Sequence, residues 1–293
     1  MSRRSEGGPD GIAVVDKAAG WTSHDVVAKA RGILGTRKVG HSGTLDPDAT
    51  GVLVLGVGRG TRLLRFLTAL PKSYVTTIRF GLETTTLDVS GDVIATHDME
   101  GLDPGLVVEA AREFVGEIQQ IPPMVSAIKV DGRRLYELAR EGIEVEREAR
   151  TVRVDRFDLE PTEDPLIWTA HVECGSGTYV RSLAADLGSA LGGGAHITSL
   201  RRTSVGGFAE AEARPLEQIT LLPLREAARG LATVAIDDEL LSAVRVGAVL
   251  DPDRLRLVGD GPWYLISATD ELVAVYERHR DGVRVKPAVV LIS

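Results

Sequence analysis

The sequence predicts an α+β fold with a large mixed or antiparallel sheet, followed by a small all-β module at the C-terminus. Two observations lead there. Segments of helical and of strand periodicity are interleaved over residues 10–235 without the regular alternation that marks a parallel sheet. From about Ile236 the texture changes to short apolar stretches separated by Asp, Gly and Pro turns, so 236–293 is expected to be a separate domain.

The elements follow in order. Ile12–Val15 reads as a strand ending at Asp16-Lys17. Thr22 or Ser23 can cap a helix with apolar positions Val26, Val27, Ala30, Ile33 and Leu34, which Gly35 stops. A buried strand runs through Leu55, and Thr61–Leu70 reads as a helix with its basic residues on a separate face. Lys72–Phe80 suits a strand rich in Tyr, Val, Thr and Ile. Asp103-Pro104 starts a helix in cap-then-proline order, and Arg133–Glu141 is a short helix in charged, loop-like surroundings. Strands are expected at Val152–Leu159 and Ile167–Cys174, a helix at Thr178–Ala190, and a strand at Thr198–Val205 beyond the Gly192-Gly193-Gly194 breaker. In the last module Val244–Val249, Leu255–Val258, Trp263–Ile266, Leu272–Tyr276 and Val283–Ile292 read as strands.

At 293 residues with 43% hydrophobic content, the chain can bury a substantial core. The single cysteine, Cys174, excludes an intramolecular disulfide and a cysteine-pair zinc site, and fits a reducing cytosol. Residues Met1 to Asp10 are polar, and no apolar run approaches the roughly 20 residues that span a bilayer. A cytoplasmic monomer is the expectation. The net charge of −8 argues at first against a nucleic-acid partner, but its distribution is uneven. Residues 1–80 hold 12 Lys/Arg and 6 Asp/Glu, a balance of +6, so the remainder carries −14. Arg31, Arg37, Lys38, Arg59, Arg62, Arg65 and Lys72 lie on both sides of one turn, where a positive field would attract a polyanion.

That turn is Gly40-His41-Ser42-Gly43-Thr44-Leu45-Asp46-Pro47-Asp48-Ala49-Thr50-Gly51. Pro47 fixes its own φ and biases Asp46 toward an extended backbone, and the apolar run Val52–Leu55 follows at once. A carboxylate presented so can serve as nucleophile, base or metal ligand.

The turn closely resembles the catalytic motif of the TruB family of tRNA pseudouridine synthases. Five other stretches match that family in order. Asp16-Lys17-Ala18-Ala19-Gly20-Trp21-Thr22-Ser23-His24-Asp25 resembles its N-terminal signature, and Lys72-Ser73-Tyr74 its tyrosine motif. The loop from Gly81 through Asp88 to Gly91 resembles its threonine-rich loop, and the run from Gln120 to Lys129 its RNA-gripping insert, placed at about 120–150. The stretch from Cys174 to Ser182 resembles its arginine motif. The likeness covers about residues 10–220. The C-terminal module is similar to the PUA-type RNA-binding barrel of bacterial members. Ala18 stands where the family usually has proline, and Val125 where tyrosine is common.

The resemblance implies conversion of uridine to pseudouridine in the T-loop of tRNA, at uridine 55. That isomerisation needs no cofactor and no metal. It makes Asp46 the nucleophile; whether it attacks sugar or base or removes a 2′ proton is left open. Arg181 would pair with Asp46, and Tyr74 would stack on the base or take its C5 proton. Tyr179 and Leu200 would wall the pocket of an everted base, and His41 would fill the space it leaves. Asp88 is expected to orient Tyr74 or Arg181, while Lys17, Ser23 and His24 shape the fold nearby. Lys129, Arg133 and Arg134 lie in the insert, and Arg201-Arg202 are candidate phosphate contacts. Eight Lys/Arg against nine Asp/Glu over residues 122–160 make that grip local.

Three rival classes remain. Asp46-Pro47-Asp48-Ala49-Thr50 fits the Asp-x-Asp-x-Thr pattern of haloacid-dehalogenase-like phosphatases, but the apolar strand follows the aspartate instead of preceding it. A glycosidase using Asp46 and Asp88 would release free uracil. A non-catalytic RNA-binding or chaperone protein would keep the charge bias without turnover.

Overall fold

The structure, a computed structural model, describes residues 8–126, 128–130 and 132–292, with only the backbone of Lys129 and Arg140. The polar residues 1–7, Ala127 of the insert motif, Asp131 and Ser293 lie outside the described residues, as does the Lys129 side chain.

Regular structure begins with β1 (Gly11–Lys17) and α1 (Ser23–Ile33). Thr22 and Asp25 cap α1 reciprocally: the hydroxyl accepts the Asp25 N–H at 3.1 Å, and the carboxylate accepts the Thr22 N–H at 2.9 Å. Val26, Val27 and Ala30 are buried, whereas Ile33, in the last turn, is exposed despite its apolar spacing. β2 (Val39–His41) pairs antiparallel with β3 (Thr50–Val57), His41 opposite Leu55, so the Asp46 turn is the loop of a hairpin. The expected helix after it is a 3₁₀ stretch over Gly58–Leu63 that passes into α2 (Leu64–Ala69).

β4 (Lys72–Phe80) matches its sequence reading residue for residue, with buried and half-buried side chains alternating as a strand requires. β5 (Leu82–Thr84) and β6 (Val93–Thr96) form a small hairpin around the threonine-rich loop. α3 (Pro104–Arg112) starts where the Asp103 side chain accepts the Gly105 N–H at 2.6 Å. β7 (Gly116–Gln120) follows. β8 (Lys129–Val130) and β9 (Arg133–Arg134) pair before α4 (Leu135–Arg140), so the helix read from Arg133 starts two residues later. β10 (Arg150–Pro161), β11 (Ile167–Cys174), α5 (Val180–Ala190), β12 (Ala195–Val205) and β13 (Phe208–Ala209) complete the central part.

The described residues cluster into two compact units, one of 48–51 and 69–205 and another of 8–47, 52–68 and 206–292. In the first, β12, β4, β11, β10 and β7 follow one another as antiparallel neighbours, and Thr50 and Gly51 pair in parallel with Arg201 and Arg202. The sheet is therefore mixed, as expected. Trp168, Ile78, Phe80 and Leu183 are buried in this unit.

The other unit holds β1–β3, apart from Thr50 and Gly51, and the C-terminal module. That module comprises β14 (Thr233–Ala235), α6 (Asp238–Arg245), α7 (Pro252–Leu255), β15 (Trp263–Ile266), β16 (Leu272–Arg278) and β17 (Val285–Val290). Its strands form a four-stranded sheet in the order β14-β15-β16-β17 with no closed barrel among the described residues. Nor is the module all-β. The Asp237 side chain accepts the Leu240 N–H at 2.9 Å and starts α6, whose Leu240 and Val244 enter the core with Trp263, Leu265 and Tyr276. Val244 thus lies in the last turn of a helix where a strand was read, and Val246 and Val249 beyond it are exposed. Among the described residues no helix is long and apolar enough to cross a membrane.

Candidate active site

The Asp46 loop is held by side chains that come from β1 and the start of α1. Lys17 is 1% exposed, and its ammonium donates to the carbonyls of Ala18 (3.0 Å), Trp21 (2.7 Å) and Pro47 (2.9 Å). An ammonium has three donors, and each has a carbonyl here. The Pro47 carbonyl also accepts the Gly20 N–H at 3.0 Å. On the other side of Asp46, the buried Ser23 hydroxyl accepts the Leu45 N–H at 2.9 Å and donates to the Leu45 carbonyl at 3.2 Å. Residues 45 and 47 are pinned, and the half-buried Asp46 sits between them. His41 is half-buried, its Nδ1 accepts the Gly43 N–H at 3.3 Å, and its ring meets His24 edge-on at 5.4 Å. Lys17, Ser23 and His24 thus shape the loop from below.

Where the loop leads into β3, Gly51 has a φ of +100°, and a Cβ there would overlap the Arg202 carbonyl oxygen across the parallel pairing. Only glycine fits both demands.

In the unit built on β4, Tyr74 is nearly buried and lies opposite Val172 on β11 and Arg202 on β12. Leu200 lies opposite Thr76, so Tyr74, Arg202 and Leu200 share a face of the sheet. Arg202 is 1% exposed, which removes it from the accessible phosphate contacts expected of it, whereas Arg201 is half-buried beside Thr50. Lys72 is also buried, donates to the Leu70 carbonyl at 2.8 Å, and does not belong to the exposed basic surface. Burial first, then the Arg202 charge, push its pKa down to about 8. Burial pushes the Cys174 thiol up to about 11, so this cysteine is inert near neutral pH.

Arg181 occupies the first turn of α5, where a cation opposes the helix dipole. It is 3% exposed, and fixed acceptors offset that cost: the carbonyls of Thr86 and Val125, each at 2.9 Å, and Asp88 Oδ2 at 3.6 Å. Asp88 Oδ1 in turn accepts from the Thr86 hydroxyl at 2.6 Å and from the Ser90 N–H and hydroxyl at 3.0 and 2.6 Å. Of its two expected targets, Asp88 therefore meets Arg181. Tyr179 caps α5 with its backbone held by Gln120, a residue of the insert motif to which the sequence assigned no role. Its signal was a polar side chain closing a strand, too common to single out.

In the insert, Arg133 pairs with Glu141 at 2.5 Å, and Arg134 lies 5.8 Å from the Tyr136 ring. Much of the basic cluster is engaged within its own unit. Arg59 pairs with Asp10 at 2.6 Å and donates to the Leu291 carbonyl, Arg62 donates to the Val290 carbonyl at 2.5 Å, and Arg65 pairs with Glu277 at 2.9 Å. Arg37 and Lys38 line a cleft of about 650 Å³ with Arg59 and Arg62.

Comparison with known proteins shows the family to which the chain is similar. Residues 31–180 match the model of the TruB family pseudouridylate synthase N-terminal domain, and 181–242 that of the tRNA pseudouridylate synthase B C-terminal domain. The chain is 45% identical over 291 residues to tRNA pseudouridine synthase B of Mycobacteroides abscessus, covering 96% of each chain. It is 44% identical over 293 residues to the protein of that name from Mycobacterium tuberculosis, covering 96% of this chain and 95% of the relative. Among solved structures, a Cbf5-Nop10-Gar1 complex contains a chain that superposes with a TM-score of 0.71 at 29% identity, over 91% of this chain and 78% of that one.

Proposed function

The chain belongs to the TruB family of pseudouridylate synthases, and on that premise we propose that it converts uridine to pseudouridine in the T-loop of tRNA, at position 55. The observation that carries this reading is 45% identity over 96% of both chains to a protein named tRNA pseudouridine synthase B.

In this reaction the N1–C1′ bond breaks, the base turns, and C1′ rejoins it at C5. C5 loses a proton and N1 gains one, so nothing is oxidised and no atom is lost. A cofactor is not required. Asp46 is the nucleophile, and the pins at Leu45 and Pro47 support that role because a carboxylate held in advance needs no reordering during the reaction. Arg181 is its ion-pair partner and keeps it ionised. Tyr74 stacks on the everted base and receives the C5 proton. Tyr179 and Leu200 wall the base, and His41 occupies the gap in the RNA. Arg134, Arg201 and Lys129 take phosphates, and residues 236–293 act as an RNA-binding module of PUA type.

The test is to incubate the purified protein with an unmodified tRNA transcript, without added metal, and to map pseudouridine. Asp46→Asn should abolish the product while tRNA affinity stays within about tenfold. Unchanged turnover by that variant would refute the role of Asp46, and release of free uracil would mark a glycosidase instead.

A further inference from the structure

We propose that Gln120 is a positioning residue of the reaction: its buried amide sets the backbone of Tyr179 and, through it, the first turn of α5 that carries Arg181. This rests on the reading above that Tyr179 and Arg181 serve catalysis.

Gln120 closes β7, lies opposite Arg150 on β10 and is 2% exposed. Its Oε1 accepts the Tyr179 N–H at 2.8 Å, and its Nε2 donates to the Tyr179 carbonyl at 3.1 Å. One side chain therefore engages the peptide planes on both sides of a single residue. An N–H only donates and a carbonyl only accepts, so the orientation of the amide is dictated by its partners. Tyr179 is the N-cap of α5 with φ −104° and ψ 109°, and its side chain provides no cap. Its carbonyl also accepts the Leu183 N–H at 3.0 Å, the bond that starts the helix. Displacing Tyr179 would shift that bond, and Arg181 is two residues away.

The same segment holds the turn at two more points. The Ile121 carbonyl accepts the Ser182 hydroxyl at 3.2 Å, and the Val125 carbonyl accepts the Arg181 guanidinium at 2.9 Å. Only Gln120 does so with a side chain that is both donor and acceptor. Glutamate of the same shape has only acceptors when ionised, and asparagine is one methylene too short. A protonated glutamic acid, however, regains a donor for the Tyr179 carbonyl.

That difference gives the experiment. Tritium release from a tRNA transcript labelled at uridine C5 is followed for the wild type, Gln120→Glu, Gln120→Met and Arg181→Ala between pH 6 and 8. Each kcat is taken per folded molecule from circular dichroism, so partial unfolding does not mimic an effect. At pH 8 both Gln120 variants should lose about 10- to 100-fold in kcat with KM within about threefold. Toward pH 6 Gln120→Glu should recover relative to the wild type while Gln120→Met does not. Both Gln120 variants within twofold of wild-type kcat, beside an inactive Arg181→Ala, overturn this inference alone. Loss without the pH recovery of Gln120→Glu reduces Gln120 to a structural residue and overturns it as well. An Arg181→Ala variant as active as the wild type overturns the site reading on which it rests.

Discussion

The Asp46 loop and the first turn of α5 solve one problem in two ways. In each, a buried polar side chain takes both the N–H and the C=O of one residue: Ser23 for Leu45, Gln120 for Tyr179. The loop adds an ammonium beneath it, Lys17, and draws its pins from positions 17–23, immediately before and within α1. The α5 turn draws its pins from residues 120–125, the root of the insert expected to grip RNA. The loop is thus held from its own neighbourhood in the chain, whereas the arginine turn depends on a segment for which RNA binding is proposed. Changes in the insert root should reach Arg181 and leave the Asp46 loop as it is.

That contrast can be broken or sharpened by substitution. Gly51→Ala should have the largest effect, about 3–5 kcal/mol of stability, because it combines a left-handed backbone with overlap on the Arg202 carbonyl. Urea unfolding measures it, and a loss under about 1 kcal/mol would mean that the β3–β12 junction yields. Lys17→Met comes next at about 3 kcal/mol, since it withdraws a buried donor from three carbonyls. It should also lower kcat, and a stable but fully active variant would show that Asp46 needs no support from below.

Lys72 tests the other unit by pH. Below about pH 8 this lysine is charged in the folded and unfolded chain, and its burial penalty is complete. Between about 8 and its ordinary value of 10.5 the folded chain gives up the proton first, so stability rises with pH, by at most about 3 kcal/mol. Cys174, raised from 9.0 to about 11, runs the opposite way, so the measurement belongs in a Cys174→Ala background. Lys72→Met should abolish the rise; if the rise persists, another group causes it. The smallest effect is expected of Ser23→Ala, about 1–2 kcal/mol, because it withdraws one hydroxyl from the N–H and carbonyl of a single buried residue, Leu45. Denaturant midpoints decide that case.

Much of this was legible in the residues. The capping box at Thr22, the alternation along β4 and the Asp103-Pro104 start are local signals, and each element formed where its signal lay. The C-terminal module misled because Val244–Val249 has the composition of a strand, while the Asp237 cap and the four-residue spacing of Leu240 and Val244 favour a helix. The basic cluster was legible as charge but not as contacts. Charge counted along the chain takes no account of the carbonyls and carboxylates that Arg59, Arg62 and Arg65 meet, or of the burial of Lys72.

By itself the sequence determined where helices start, which strands alternate, and which carboxylate stands in a glycine- and proline-bounded loop, since all of these depend on residues a few positions apart. Only the tertiary structure decided that Lys17 underlies Pro47, that Gln120 holds Tyr179, and that Arg202 is buried. The physical reason is range: a hydrogen bond between residues 30 or 59 positions apart leaves no periodicity in the chain and exists only once strands and loops have packed.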